Sequence, residues 1–514
     1  MTHTLTIPIG PTQGPKAGVR GWLALAVLML PVLLVSVDNT VLSFALPVIS
    51  TDLQPSAIGQ LWIVDAYALV LASLLVTMGS LGDRFGRRRM LLIGATGFGA
   101  VSVLAAFAPT APVLIGCRAL LGVFGAMLMP STLSLLRSVF TNRNQRRLAI
   151  AVWASAFSAG SALGPIVGGA LLENFAWGSI FLMAVPVLIP LLILAPILVP
   201  ESRDPQPGPV DGWSILLSLA TMVPIVYAIK EIAVHGFGGI AAALLAAGLS
   251  FGIIFVRRQR TLRTPMLDMA LFRHGSFSGA ILVNLLSIMA LVGFLYFVAQ
   301  QLQLVSGLSP LQSGVALVPG LVAMIVAGLV VVPIARAVRP SVLIPSALVF
   351  SVVGYVMVSI SAVDASVWML VVAFVSLGIG VGMAETVSNE LILATAPPEK
   401  AGAASAVSET AYEVGAVLGT TVLGGILTAI YRGTLDLPSE LSTDSAYTAR
   451  ETLAGAVSVA DQSPEPLGGQ VFDAAAAAFE SGVAVTALIG AALVILAGVV
   501  AATTLRKTDA STGG

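Results

Sequence analysis

Seven ionisable side chains fall inside segments that are otherwise apolar. They are Asp38, Asp65, Arg118, Glu385, Glu390, Glu409 and Glu413. A charge within an apolar segment costs about 3 kcal/mol or more on membrane-insertion scales, so each is a functional candidate by default. Carboxylates in such a setting can exchange protons, pair with a buried guanidinium or attract a cation. The pattern therefore predicts proton transfer and cation binding.

Asp38, Asp65 and Arg118 share a similar depth in their segments. At 1.5 Å per helical residue they lie roughly 14, 12 and 9 Å from the same side. A carboxylate that pairs with Arg118 stays ionised, whereas an unpaired one in a low-dielectric cavity can carry a proton. We expect Asp38 to be the principal proton carrier, Arg118 to bias its charge state and Asp65 to contact substrate or water. A static Asp38–Arg118 ion pair and a solvated Asp65 are the alternatives.

A second acidic group lies near the end of the chain. Glu409 and Glu413 are four residues apart and therefore share one helical face. Two carboxylates so close repel each other when both are ionised, so one is expected to hold a proton until a cation displaces it. Glu385 is predicted at mid-depth, and Glu390 is either functional or interfacial. Aromatic and methionine candidates for a cavity wall are Trp62, Tyr67, Phe157, Met289, Phe294, Tyr296, Phe297, Met324 and Tyr412.

The composition indicates which elements must hold these residues. The chain has 514 residues, of which 57% are hydrophobic and only 10% charged, with a net charge of zero. So few charges cannot cover a water-soluble surface, which predicts an all-α integral membrane protein and excludes an anchored soluble enzyme, a disordered chain or a nucleic-acid binder. One cysteine, Cys117, and three scattered histidines predict no internal disulfide and no metal site.

Apolar runs separated by short polar breaks predict fourteen transmembrane helices, with twelve as the alternative count. The predicted helices are residues 21–47, 57–80, 89–109, 112–137, 147–172, 175–199, 212–231, 238–256, 276–301, 311–335, 341–361, 366–395, 401–430 and 482–505. Basic residues support an even count with both termini cytoplasmic, because cytoplasmic loops collect Lys and Arg. Of the 25 Lys and Arg residues, only Arg118, Lys230, Arg432 and Arg450 fall elsewhere, with Lys230 at a span end.

The order of spans predicts two six-helix bundles with two inserted helices between them. The predicted boundaries are a cytoplasmic N-terminal tail at 1–20, a first bundle at 21–199, a hairpin at 212–256, a second bundle at 276–505 and a cytoplasmic tail at 506–514. The apolar stretch after the tail is interpreted as a signal anchor. The polar segment 431–481 is predicted to be external, as a lid, a short interfacial helix or a solvated linker.

Two glycine-containing segments carry recognisable spacing. Residues 79–89 read GSLGDRFGRRR, in which glycines permit a tight turn, Asp83 can accept hydrogen bonds and the arginines fix topology. Residues 160–169 read GSALGPIVGG, in which Gly160, Gly164 and Gly168 form a smooth stripe and Pro165 permits a bend. Ordinary loop topology and ordinary small-residue packing are the plain alternatives.

These segments resemble known motifs. Residues 79–89 resemble the signature loop of the major facilitator superfamily, and residues 160–169 resemble the antiporter motif of its drug exporters. Residues 38–40, 60–67, 118–122 and 265–268 are similar to the fourteen-span drug:proton antiporter family of quaternary-ammonium and antiseptic exporters. The resemblance implies a major facilitator fold, a seal and a conformational latch. The implied latch residues are Gly79, Asp83, Arg84, Gly86 and Arg87, and the implied seal residues are Gly160, Gly164, Pro165, Gly168 and Gly169.

The resemblance implies a proton-coupled antiporter, not an enzyme, that exports lipophilic cations such as quaternary ammonium antiseptics, dyes and cationic drugs. Its expected partners are these small molecules, protons and membrane lipids, with no nucleic acid and no cofactor, because the proton gradient drives it. The expected location is the bacterial cytoplasmic membrane, as a monomer. The predicted proton-coupling residues are Asp38, Arg118, Glu409 and Glu413, and the predicted substrate-binding residues are Trp62, Asp65, Tyr67, Glu385, Glu409 and Tyr412. The resemblance supports Glu409 most and Glu413 next. An exporter of a neutral or amphipathic metabolite, antibiotic or lipid precursor is the alternative.

Overall fold

The computed structural model describes residues 16–203, 211–262, 265, 267, 269–361, 366–395 and 401–506. Residues 1–15 and 507–514 of the two predicted tails, and Met266 and Asp268 of the family resemblance, lie outside the described residues. The regular secondary structure within the described ranges is entirely helical. This confirms the all-α prediction that followed from composition.

The first nine helices are α1 (Val19–Leu53), α2 (Ala57–Phe85), α3 (Arg87–Ala106), α4 (Ala111–Val139), α5 (Arg143–Asn174), α6 (Ser179–Leu182), α7 (Ala184–Leu198), α8 (Gly212–His235) and α9 (Gly239–Thr261). The next nine are α10 (Gly275–Gln300), α11 (Pro310–Ile334), α12 (Pro340–Ser361), α13 (Val367–Thr395), α14 (Ala401–Leu418), α15 (Gly425–Thr434), α16 (Thr443–Glu451), α17 (Leu453–Gln462) and α18 (Leu467–Thr504). Short π-helical turns, Gln301–Val305 and Gly419–Gly424, follow α10 and join α14 to α15.

Fourteen segments of the described chain are long and apolar enough to cross a membrane, as the sequence predicted. Helices α6 and α7 together form the sixth span, and α14, the π-helical turn and α15 together form the thirteenth. Because the count is even, the start of the first span and the end of the last span lie on the same side of the membrane. We call this the terminal side and the opposite one the far side.

The spans associate as two groups around the inserted hairpin. In the first group, α1 packs against α5, and α2 and α3 pack against α4. In the second group, α11 and α12 pack against α13, and α10 and α12 pack against α18. Helices α8 and α9 pair with each other, and α8 rests on α2 and α15. The two groups meet where α5 packs on α11 and α2 packs on α14.

Polar side chains join the two groups on the far side. The Gln60 side-chain amide, at the start of α2, donates a hydrogen bond to the Gln300 amide oxygen at 3.0 Å. Gln303, in the π-helical turn after α10, donates to the Phe44 carbonyl oxygen of α1 at 2.9 Å. Each pair satisfies polar groups at a buried contact between helices far apart in sequence. The far-side ends of the two groups are therefore held together in this conformation.

The predicted start of the last span and the predicted extent of the loop before it were wrong. Helix α18 begins at Leu467, not at 482, and incorporates the alanine-rich stretch from Ala474 to Ala478. Alanine has the highest helix propensity, so this stretch continues the helix beyond its most apolar part. The non-spanning segment therefore runs from 435 to 466 and contains α16 and α17.

Glu451, at the end of α16, links this far-side segment to both groups of spans. Its Oε2 accepts a hydrogen bond from the Ala57 backbone amide at the start of α2, at 2.8 Å. Its Oε1 pairs with Arg432 of α15 at 2.7 Å. The Tyr431 hydroxyl also donates to the Ala449 carbonyl oxygen at 2.8 Å. Of the three predicted forms for this segment, a lid that contains short helices fits these contacts and a solvated linker does not.

An ion pair closes the terminal-side end of the inserted hairpin. Asp211 caps α8 by accepting a hydrogen bond from the Ser214 amide, and Arg258 of α9 donates to both Asp211 carboxylate oxygens at 2.8 and 3.1 Å. These Arg258 hydrogen bonds lower the pKa of the Asp211 carboxyl from 3.8 to about 2.

A pH prediction follows from this ion pair. Since the carboxyl pKa is lower in the folded state, the stabilisation is complete above about pH 4 and is lost as the pH falls through about 2. We expect the protection of backbone amides in residues 211–216 and 255–262, measured as the exchange rate relative to the intrinsic rate at each pH, to fall over this interval in the wild-type protein. The Asp211→Asn variant should exchange faster already at pH 5 and show less change on acidification. Identical profiles for the two proteins would contradict the role given to this pair.

Candidate functional site

Asp38 and Arg118 form a buried ion pair inside the first group of spans. The Arg118 Nη1 lies 2.7 Å from the Asp38 Oδ2, and the two residues are 2% and 4% exposed. Arg118 Nε donates to the Ile63 carbonyl oxygen at 3.3 Å, and its guanidinium lies 4.6 Å from the Tyr67 ring centroid. The predicted proximity is thus confirmed, since α1, α2 and α4 place these groups at one depth. The proton-carrying role of Asp38 stays a prediction.

Asp65 has two partners that the sequence analysis did not identify. Lys230 of the inserted hairpin places its Nζ 2.9 Å from the Asp65 Oδ2, and the Thr421 hydroxyl donates to the same oxygen at 2.7 Å. Lys230 was predicted at a span end, but α8 continues to His235 and the lysine is fully buried. Asp65 is 1% exposed, so its solvated alternative is wrong. A lone lysine in a predicted span was the available sequence signal.

A central cavity lies between the two groups of spans. The ionisable and polar residues that line it are Asn39, Thr40, Ser43, Asp65, Arg118, Ser161, Glu385, Glu413 and Thr420. Its aromatic and methionine lining residues are Tyr67, Phe157, Met324 and Tyr412. Spans distant in sequence thus bring the carboxylates of Asp65, Glu385 and Glu413 and an aromatic wall next to the Asp38–Arg118 pair. Such a mixture of apolar wall and few polar groups is typical of a small-molecule site.

The cavity distinguishes between the two acidic residues of α14. Glu413 lines it, is 7% exposed and lies beside the Asn39 amide. Glu409, one helical turn toward the terminal side, is half-buried and does not appear among the described lining residues. Glu385 of α13 also lines the cavity. The structure thus places Glu413 and Glu385 at the cavity, whereas Glu409 is absent from its described lining.

The aromatic candidates also separate into two sets. Phe157 of α5 and Tyr412 of α14 meet edge to face with ring centroids 6.0 Å apart, so the cavity wall spans both groups. Trp62 is absent from the described cavity lining and instead contacts Lys230. Phe294 and Phe297 pack with each other inside the second group, with ring centroids 5.2 Å apart. Tyr296 and Met289 are likewise buried and outside the described lining.

The glycine stripe of α5 brings three helices together. A Cβ atom at Gly160 would lie 2.7 Å from Ser36 Cβ of α1, and Gly164 and Gly168 similarly pack on Thr40 and Val41. On the other face, a Cβ at Gly169 would lie 2.8 Å from both the Leu311 Cα and the Pro310 carbonyl oxygen of α11. The Pro165 carbonyl packs closely on Gly314 of α11. The stripe therefore lies at the far-side seam between the groups.

Enlarging Gly169 should open this seam. Because the opposing atoms are backbone atoms of α11, Gly169→Leu cannot be accommodated by a side-chain rotation and must separate α5 from α11. We expect passive proton leakage through reconstituted vesicles to rise several-fold. Gly116→Leu is the matched control, since a Cβ at Gly116 meets no atom within 4 Å. Equal leakage for the two variants would show that the close packing at Gly169 is not a seal.

The loop between α2 and α3 is held within the first group of spans. Gly86 has φ of +114°, and the following Arg87 amide donates to the Ser202 carbonyl oxygen at 3.0 Å. Arg87 also pairs with Asp83 at 2.8 Å, and the Arg88 amide donates to Glu201 Oε1 at 3.0 Å. These contacts fix the loop to the segment after α7. An interbundle latch formed by Gly79, Asp83, Arg84, Gly86 and Arg87 stays a prediction.

Fourteen spans, arranged as two groups and an inserted hairpin with a central cavity between the groups, define a multi-pass membrane transporter. Residues 28–420 match the sequence profile of the Major Facilitator Superfamily, and the chain belongs to that family. A bacterial homologue of the human lysosomal transporter Spinster, in an inward-facing and unoccupied conformation, has the same fold. The two superpose with a TM-score of 0.65 at 16% sequence identity, covering 96% of this chain and 99% of the other.

Two relatives are similar in sequence over most of their length. The multidrug efflux pump LfrA of Mycolicibacterium smegmatis is 56% identical over 498 residues, covering 97% of this chain and 99% of the relative. The methyl viologen resistance protein SmvA of Salmonella typhimurium is 37% identical over 469 residues, covering 90% and 93%. The likeness therefore extends over the inserted hairpin as well as both groups of spans.

Proposed function

We propose that this protein is a proton-coupled multidrug antiporter that exports lipophilic cations across the bacterial cytoplasmic membrane. The observation that carries the proposal is the central cavity, where Glu385 and Glu413 face an aromatic wall beside the Asp38–Arg118 pair. The names of the relatives, a multidrug efflux pump and a methyl viologen resistance protein, support the export of drug-like molecules. The terminal side is taken as cytoplasmic because most basic residues are predicted there.

The chemistry of the cavity favours cationic cargo of varied shape. Glu413 and Glu385 supply negative charge within an apolar enclosure, where electrostatic attraction is stronger than in water. Tyr412, Phe157 and Tyr67 offer aromatic faces to a cation. Met324 adds a flexible apolar contact that adapts to different ligands. Together these groups can hold a positive charge without requiring one hydrogen-bonding pattern.

Proton coupling follows from competition for the same carboxylates. On the cytoplasmic side an ionised Glu413 binds the cation, and on the external side a proton from the medium displaces it. Asp38 lies behind Arg118, and a proton on Asp38 frees the guanidinium to face the cavity and repel cationic cargo. Inward movement of one proton through 100 mV supplies about 2.3 kcal/mol. This energy supports more than a tenfold cargo gradient, since each tenfold step needs about 1.4 kcal/mol.

Everted membrane vesicles test the proposed function. In vesicles that contain the protein and are acidified inside, adding the monocation tetraphenylphosphonium should collapse part of the proton gradient and drive the probe into the lumen. Vesicles from cells without the protein give the baseline. A response to neutral amphipathic compounds but not to cations would favour the alternative cargo. Binding of the probe without any flux would contradict the transport proposal.

A further inference from the structure

Lys230 is a buried charge on a helix that buries little else. Most residues of helix α8 are only partly buried, and its fully buried residues are Ser214, Val226, Ala228 and Lys230. The lysine side chain is 0% exposed. Taking an ammonium group out of water costs several kcal/mol unless partners compensate for it. Apolar side chains could hold this helix in place at a lower cost in free energy. The groups around Lys230 must therefore compensate for the loss of water around its ammonium group.

The surroundings of Lys230 have the composition of an ammonium-binding site. The Nζ atom lies 2.9 Å from the Asp65 Oδ2 and 3.8 Å from the centroid of the Trp62 ring. Tyr227 packs against Trp62 with ring centroids 6.3 Å apart and supports the indole from the same hairpin. A carboxylate combined with an aromatic face is how proteins recognise ammonium and quaternary ammonium ligands.

This site is continuous with the central cavity. Asp65 lines the cavity, as does Thr420 of the π-helical turn, and the adjacent Thr421 donates its hydroxyl to the Asp65 Oδ2 at 2.7 Å. Asp65 thus contacts the first group of spans, the second group and the inserted hairpin at one point. A ligand in the cavity can therefore reach the Asp65 carboxylate, which Lys230 contacts from the inserted hairpin.

We propose that Asp65 and Trp62 form a second cation subsite whose occupant in this conformation is the chain's own Lys230. This inference rests on the proposed cationic cargo and refines it. Lys230 acts as a tethered competitor, because a cargo cation can bind Asp65 only when the lysine ammonium withdraws. With Lys230 in place the pair contributes no net charge to the cavity, which leaves Glu413 and Glu385 to hold a monocation.

The inference assigns Lys230 a role in specificity. Removing its charge would add one unpaired carboxylate to the cavity and would favour a dication most, because a dication can neutralise Asp65 and Glu413 together. The ion pair at the other end of the hairpin, Asp211 with Arg258, offers a comparison in the same element. That pair fastens the hairpin at its terminal-side end and is absent from the described cavity lining.

Equilibrium binding to the purified full-length chain tests this inference with two probes, tetraphenylphosphonium as monocation and methyl viologen as dication. We expect Lys230→Met to lower the Kd for methyl viologen about tenfold or more and that for tetraphenylphosphonium by less, in line with couplings measured for close charge pairs. Arg258→Met, which also removes a hairpin cation, should leave both values unchanged. The double variant Asp65→Asn/Lys230→Met should lose the gain.

Three results would overturn the inference. They are unchanged Kd values in Lys230→Met, an equal gain in Arg258→Met, or a gain that persists without the Asp65 carboxylate. If Lys230→Met does not fold, as judged by thermal unfolding, Asp65→Asn replaces it. That variant leaves the lysine charge facing the cavity and should weaken binding of both probes, so unchanged binding would also overturn the inference. Wild-type protein that binds neither probe would instead contradict the proposed function.

Discussion

Replacing Asp38 by asparagine is expected to abolish proton-driven export while cation binding persists. In reconstituted vesicles with an imposed proton gradient, uphill accumulation of tetraphenylphosphonium should fall at least about tenfold, to the level of empty vesicles. Cation binding should be weakened but stay measurable, because Asp38 is absent from the described cavity lining whereas the unpaired Arg118 guanidinium faces the cavity and repels the probe. Asparagine keeps the size of the side chain but can neither carry the negative charge nor release a proton.

The reason for this large effect is the buried position of the pair. At 4% exposure the Asp38 carboxylate is paired with Arg118, and in the proposed mechanism a proton replaces Arg118 as its partner during the transport cycle. Asparagine allows only one state. It also leaves Arg118 as a buried charge without its anion, which can cost about 3–5 kcal/mol of stability. Thermal unfolding must therefore accompany the transport assay.

Two further variants make the Asp38 prediction decisive. Asp52→Asn makes the same change on the same helix, where the Asp52 carboxylate accepts a hydrogen bond from the Trp177 indole at 2.6 Å. An asparagine oxygen can accept that bond too, so export should persist. Asp38→Asn/Arg118→Gln removes both charges and should fold stably but remain uncoupled. Normal uphill export by a folded protein without the Asp38 carboxylate would remove this residue from the coupling mechanism.

Replacing Glu413 by glutamine is expected to have the second large effect. The Kd for tetraphenylphosphonium should rise at least about tenfold, because the variant loses a charge that faces the cavity at short range. In the wild-type protein the affinity should fall as the pH is lowered from 8 to 6, since proton and cation compete for carboxylates. The variant should show a weaker dependence over the same interval, as measured by equilibrium binding.

Glu409→Gln is the matched comparison for Glu413. It makes the same change one helical turn away, at a half-buried residue outside the described cavity lining, so its effect on binding should be several-fold smaller. If Glu409→Gln weakens binding more than Glu413→Gln does, the cavity of this conformation is not the binding site. The sequence analysis favoured Glu409 over Glu413, and the two variants together decide between the sequence pattern and the tertiary arrangement.

The span count and the composition of the site were readable from local features. Long apolar runs with short polar breaks give fourteen spans because each helix satisfies its own backbone hydrogen bonds within the membrane. Asp38 and Arg118 stand out because charges are rare in such runs, and their similar depths follow from the rise per residue. Their similar depths made an ion pair one of the predicted arrangements, although the packing of α1 against α4 that forms it is visible only in the structure.

Other features depend on lateral packing between distant segments. The Lys230–Asp65 pair joins residues 165 positions apart in numbering, and no local pattern indicates which face of α8 points at α2. The choice of Glu413 over Glu409 depends on the rotation of α14 in its bundle. The early start of α18 depends on alanine propensity and on packing against α17, where Gly468 closely contacts Ala460.

The sequence by itself determined that this protein is a bundle of fourteen membrane-spanning helices with ionisable groups at particular depths, because hydrophobicity and helical rise act along a single segment. Only the tertiary structure decided which of these groups face a common cavity and that the inserted hairpin supplies the cation for Asp65. The reason is that helix rotation and neighbour choice are set by side-chain packing between segments, where small residues such as those of the α5 stripe allow close approach.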